Sequence, residues 1–321
     1  MAQSENMVDN NSIQLLPAKV SEFRNAIMGC SMLAVMFFHR FYFGVPDFNF
    51  PGYLGVDVFL FLSGMGIYNS LQLHSISVYY KRRLLRLFPA CLLCGVCKVV
   101  FILVSGIDLS YSIKTFFCFD LWFIPTLLFY YLISPILRRI IIFHPLILML
   151  LAYIPTFLLL KLSGDKGEPE FMTWTMERFP TFFLGMLFIA YGNRVSSHHI
   201  IMCLVLLVMT FTLKIFVLID IISSKGLWLI SPLFAVGLPM VLYVSTIVID
   251  TLPSKLTALF SFVGRHSLEL YLIHEFVFQI CHIYWNSTLP PQIQFIISSL
   301  LSFLLAFYCK KIVKCLSRCS Y

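Results

Sequence analysis

Long apolar runs recur along the chain from residue 26 to residue 309, separated by short polar connections. A helix needs about 20 apolar residues to cross a bilayer, and in lipid every backbone N–H and C=O must be bonded within the protein. On that rule the pattern predicts spans at 26–43, 53–72, 87–106, 116–137, 142–161, 177–192, 200–219, 226–248, 266–285 and 291–310. The expected fold is therefore an all-α integral membrane protein, a polytopic bundle of about ten transmembrane helices. A polar tail is expected over 1–25, the transmembrane domain over 26–310 and a second tail over 311–321. Residues 1–25 lack the small-residue cleavage pattern that follows an apolar core, so the first span is expected to stay as an anchor.

Composition agrees with this pattern. Only 12% of the 321 residues are charged and 60% are hydrophobic, against about 25% charged in a typical soluble domain. A soluble enzyme and a disordered chain are excluded on that count. The net charge of +8 does not point to nucleic acid, because the basic residues fall between the spans and lack the interleaved aromatics of a single-strand binder. With the N-terminus inside, fifteen Lys and Arg lie on the inner side of the ten spans and six on the outer. The positive-inside rule therefore places both termini in the cytoplasm. Cys91, Cys94 and Cys97 form no closed metal-site pattern with His or a second Cys pair, and read as small thiols in a packed helix. No metal is expected. The longest outer connection, around 162–176, is too short for a catalytic domain, so any chemistry belongs within the bundle or at its faces.

Ionisable groups inside a membrane are costly, which makes them the functional candidates. His39 ends the first span in MLAVMFFHRFYF, and a neutral imidazole can take a proton from a hydroxyl. Asp57 lies near the start of the second span. Two antiparallel helices joined by a short loop would bring it to the depth of His39, where its carboxylate could accept the imidazole Nδ1–H. Simple helix-end roles compete with this reading. Gly52, Gly55, Ser63, Gly64 and Gly66 give the second span a run of small residues, which serves either close helix packing or room for a thin substrate chain. Lys81, Arg82, Arg83 and Arg86 make a compact basic cluster before Pro89, suited to a phosphate or diphosphate as well as to anionic lipid. Glu177 and Arg178 open the sixth span as a local ion pair or a substrate contact. Glu269, His274 and Glu275 interrupt the ninth, which therefore faces a polar centre or a partner.

Six segments in order, MGCSMLAVMFFH, GYLGVDVFLFLSGMGIY, YYKRRLLRLFP, LWFIPTLLFYYLISPIL, ERFPTFFLGM and HSLELYLIHEF, closely resemble the acyltransferase-3 family of membrane-bound acyltransferases. The resemblance covers about residues 24–310. It implies transfer of an acyl group, typically acetyl, from cytoplasmic acyl-CoA to a hydroxyl of a cell-surface or lipid-linked glycan, in a bacterial cytoplasmic membrane. Carried over by position, His39 matches the essential histidine of the first helix, and Asp57 with Ser63-Gly64 the second-helix motif. Arg83 and Arg86 match the paired arginines that meet the donor phosphates, and His274 a recurring histidine of the late helix. Many members carry Arg eleven residues before the first-helix His, where this chain has Met28. Arg24, one turn further back, is read as a residue that orients the span.

The mechanism expected is direct attack, with no acyl-enzyme, since no Ser or Cys is evident beside His39. The partners expected are the coenzyme A thioester, the sugar acceptor, membrane lipids and proteins of glycan assembly. A transporter or glycan flippase without covalent chemistry is the alternative, and an inactive subunit of a glycan-assembly complex is a third reading.

Overall fold

The apolar runs fold as helices, and the computed structural model describes residues 16–44, 50–105, 118, 121–143, 170–192, 197–218, 230–285 and 288–318. Among them, α1 is Leu16–Glu22, α2 Arg24–Phe38, α3 Phe50–Leu73, α4 Ile76–Ser105, α5 Phe123–Phe143 and α6 Glu170–Ala190. They are followed by α7 Ser197–Leu218, α8 Ile230–Thr251, α9 Ser254–Arg265, α10 Ser267–Trp285 and α11 Pro291–Arg318. No strand occurs among the described residues. Six helical stretches are long and apolar enough to cross a membrane, at 24–43, 54–73, 76–105, 123–141, 234–251 and 291–315. The chain is an all-α membrane protein. Helices also form at the expected sixth, seventh and ninth spans without meeting that test, and the expected span 142–161 lies almost wholly outside the described residues.

Two helices run past the ends expected for them. α4 begins at Ile76, not at residue 87, so the basic run 81–86 is itself helical. Lys, Arg and Leu are good helix formers, and Pro89 sits inside the helix without ending it. α11 continues to Arg318, through the stretch expected as a tail. At the end of α2 the chain tightens into a 3-10 turn, His39–Phe43, closed by Gly44 at φ 71°, a left-handed conformation that suits glycine.

Glycines set how closely the helices pack. A Cβ on Gly64 of α3 would lie 2.1 Å from the Phe182 carbonyl oxygen of α6, and one on Gly185 of α6 would lie 2.1 Å from the Phe61 oxygen of α3. Backbone therefore meets backbone, which is how small residues hold helices together where no hydrophobic force separates lipid from protein. Gly29 of α2 and Gly264 of α9 make a second such seam, against Phe260 and Asn25 respectively. Around the first seam Phe61, Tyr130, Phe182 and Phe183 are fully buried, with the Tyr130 and Phe182 rings stacked at 4.6 Å. α11 turns Leu300 and Leu304 outward, as a helix bordering lipid does.

α3 packs antiparallel to α2. Gly55 lies against the Ser31 carbonyl and Gly66 against the Arg24 guanidinium. α10 runs alongside α2 in the same direction, with His266 near its start and Phe278 packed on Phe43 beyond the far end of α2.

Candidate active site

At the far end of α2, His39 meets His274 of α10. His274 is 1% exposed, and its Nε2 lies 3.2 Å from His39 Nδ1. Hydrogen-bond logic assigns the protons. His274 Nδ1 faces two backbone carbonyls, Leu270 O at 2.9 Å and Tyr271 O at 3.1 Å, and carbonyls only accept. His274 therefore carries its proton on Nδ1 and offers a lone pair at Nε2. His39 Nδ1, between that lone pair and Val35 O at 2.9 Å, must then be the donor. His39 Nε2 is left with the lone pair a proton acceptor needs.

The ring of Tyr42 stacks on His39 at 6.2 Å, three residues along the 3-10 turn. Its hydroxyl donates to Glu275 Oε1 at 2.6 Å and accepts from Gln279 Nε2 at 3.1 Å. Glu275 is half-buried and stands beside this cluster. Lys98 of α4 is buried against the same stretch of α10, its ammonium 5.8 Å from the Phe276 ring centroid. Tyr42, Gln279 and Lys98 were not legible as site residues. The signals were the helical spacing of Tyr42 from His39 and of Gln279 from Glu275, and for Lys98 its charge within the expected span 87–106.

Asp57 does not take the place expected for it beside His39. In the α2–α3 register it falls near Cys30, some nine residues or roughly 13 Å short of His39 along the helix. Its partner is Arg178 of α6, with Nη1 to Oδ1 at 2.6 Å and both side chains buried; the Thr181 hydroxyl donates to the same oxygen at 3.4 Å. The cause is the face on which Asp57 stands. Asp57, Phe61 and Gly64 share one stripe of α3, and that stripe is pressed against α6 at the glycine seam. A carboxylate buried there needs a cation, and Arg178 supplies it. Arg178 thus pairs with Asp57, and its neighbour Glu177 is half-buried.

At the opposite end of α2 a cavity opens between α2, α3, α4, α5 and α10. Arg24, Arg83 and Arg86 line it, with Ser63, Tyr131, Ser267 and Tyr271 and with Met28 on its wall. Arg83 Nη2 donates to Gly66 O at 2.9 Å, and its guanidinium carbon lies 5.7 Å from the Tyr79 and Tyr131 ring centroids. Ser63 faces this cavity while Gly64, about 100° round the helix, serves the α6 seam instead. Glu269, 6% exposed in the first turn of α10, belongs to neither centre; its Oε2 accepts no hydrogen bond, and the helix N-terminus favours its charge. No group of three or more His, Cys, Asp or Glu among the described residues gathers as a metal site.

The two centres are joined by α2 and α10. Tyr271 lines the arginine cavity and its ring lies 5.9 Å from that of His274. An arginine-lined cavity and a histidine pair thus stand at opposite ends of α2. A family model described as an acyltransferase domain matches residues 25–311. The chain belongs to the acyltransferase-3 family, and so is a membrane acyltransferase that uses an acyl donor. No curated protein and no solved structure matches it.

Proposed function

We propose that the protein transfers an acyl group, acetyl by family habit, from cytoplasmic acyl-CoA to a hydroxyl of a cell-surface or lipid-linked glycan at the outer face of a bacterial cytoplasmic membrane. One observation carries the reading: the arginine cavity and the histidine pair stand at opposite ends of α2. Arg24 and His39 are fifteen residues apart, about 22 Å along a helix, a distance of the order of a pantetheine arm. The positive-inside bias of the expected spans supports an arginine end, and both termini, in the cytoplasm. A ten-span topology is supported by α5 and α6. Thr126 meets Thr175 and Tyr191 meets Ile141, so these consecutive described helices run the same way, as an intervening crossing would produce.

In this reading Arg83 and Arg86 hold the donor's phosphates, Ser63 lines the path of the arm, and His39 Nε2 takes the acceptor's proton. The acceptor oxygen attacks the thioester carbonyl, and the tetrahedral intermediate collapses with cleavage of the C–S bond. The thiolate leaves and recovers the proton from the His39 imidazolium. His274 Nε2 faces His39 Nδ1 beside Val35 O and supports the imidazolium that forms, the part expected of Asp57. Asp57 and Arg178 keep α3 and α6 in register. Membrane acyltransferase membership counts against a transporter that does no covalent chemistry.

The test is transfer of label from radiolabelled acetyl-CoA to an endogenous glycan in membranes with matched expression. His39→Ala should abolish it, and Arg83→Ala or Arg86→Ala should raise the donor concentration required. Wild-type transfer by His39→Ala would overturn the assignment. Mass analysis of surface glycans with and without the gene identifies the acyl group and acceptor.

A further inference from the structure

The arginine cavity holds more charge than a diphosphate needs. Arg83 and Arg86 stand one turn apart on α4, the spacing at which two guanidinium groups share adjacent phosphates. Arg24 comes from another helix, α2, and joins them at the same residue of α3. Its guanidinium rests on α3 at Gly66, where a Cβ would lie 2.7 Å from Nη1, and Arg83 meets the same residue through the Gly66 carbonyl. None of the three forms an ion pair with a carboxylate among the described residues. The Ser267 end of α10 also borders the cavity and brings a helix N-terminus to it. Three arginines left unneutralised around one cavity are matched by a ligand with a phosphate beyond its diphosphate.

Resting on the acyl-CoA reading above, we propose that Arg24 binds the 3′-phosphate of coenzyme A, so that the site selects the complete nucleotide over any donor that carries phosphopantetheine alone. An acyl carrier protein offers one phosphate and 3′-dephospho-CoA two; only coenzyme A offers the third. Gly66 is the residue that makes room for this contact, since any side chain there displaces the Arg24 head.

Calorimetric titration of the purified full-length protein in lipid nanodiscs tests this with CoA, 3′-dephospho-CoA and 4′-phosphopantetheine. The wild type should bind CoA about tenfold or more tightly than dephospho-CoA, the scale of one charge-assisted contact. Arg24→Gln should remove that difference by weakening CoA alone, and Gly66→Ala should do the same without deleting a charge. Arg24→Lys should keep part of the preference, which separates a lost contact from misfolding. Equal wild-type affinity for CoA and dephospho-CoA overturns the proposal while the acyl-CoA reading stands. Equal weakening of both nucleotides by Arg24→Gln overturns it as well. If no CoA binding is seen, the acyl-CoA reading itself falls and the proposal with it.

Discussion

His274 Nε2 accepts the Nδ1 proton of His39 across 3.2 Å, and the carbonyls of Leu270 and Tyr271 on the far side of His274 dictate the direction of that bond. Val35 O, 2.9 Å from the same nitrogen, requires the same direction, so α10 and the last turn of α2 agree on which nitrogen of His39 is basic. A neutral imidazole does for His39 what a carboxylate does in a serine protease triad, without placing a charge inside the membrane.

His274→Ala should lower kcat by about 100-fold or more with little change in KM, because the acceptor still binds but the imidazolium that forms on His39 loses the lone pair that supports it. His274→Gln, whose amide oxygen can accept the same proton, should recover part of the rate. Steady-state kinetics with acetyl-CoA decide it; a wild-type kcat in His274→Ala would show that the contact does not matter.

The Asp57–Arg178 pair makes a contrasting prediction. Removing one partner leaves a buried charge alone, a loss of about 3–5 kcal/mol, so Asp57→Asn and Arg178→Met should each lower Tm in detergent. The double replacement Asp57→Leu with Arg178→Met should be more stable than either single variant. Loss of kcat in Asp57→Asn at unchanged Tm would return Asp57 to the chemistry.

Ser63 and Gly64 are neighbours in sequence and should separate in experiment. Gly64→Ala forces a methyl toward the Phe182 carbonyl and is expected to destabilise the α3–α6 seam by about 1–3 kcal/mol, without a selective effect on donor KM. Ser63→Ala should leave Tm near wild type and raise donor KM a few-fold. Melting curves and donor titrations of the two variants make the comparison.

Much of this was legible in the chain. The apolar periodicity located the helices, and His39, His274, Ser63, Arg83 and Arg86 were all named from their places in it. The partner of Asp57 was not, because matching two residues by loop length takes account of depth only roughly and of helix face not at all. The missed signal was a repeated spacing: Asp57 precedes Gly64 by seven residues and Arg178 precedes Gly185 by seven, so both helices carry charge and glycine on one stripe. Arg24 was passed over for another reason. A basic residue at the inner end of a span is already explained by topology, and only its place in the lining of the cavity shows that it has a second neighbourhood.

Ser267 borders the arginine cavity and His274 holds the base, and both belong to the same unbroken helix, two turns apart. That interval is about 10 Å, fixed by the pitch of the backbone and not by a loop that can relax. α10 therefore acts as a ruler. On the proposed reading it sets the height of the histidine pair above the near edge of the cavity, and the rest of the roughly 22 Å from His39 to Arg24 is left for the donor arm to span.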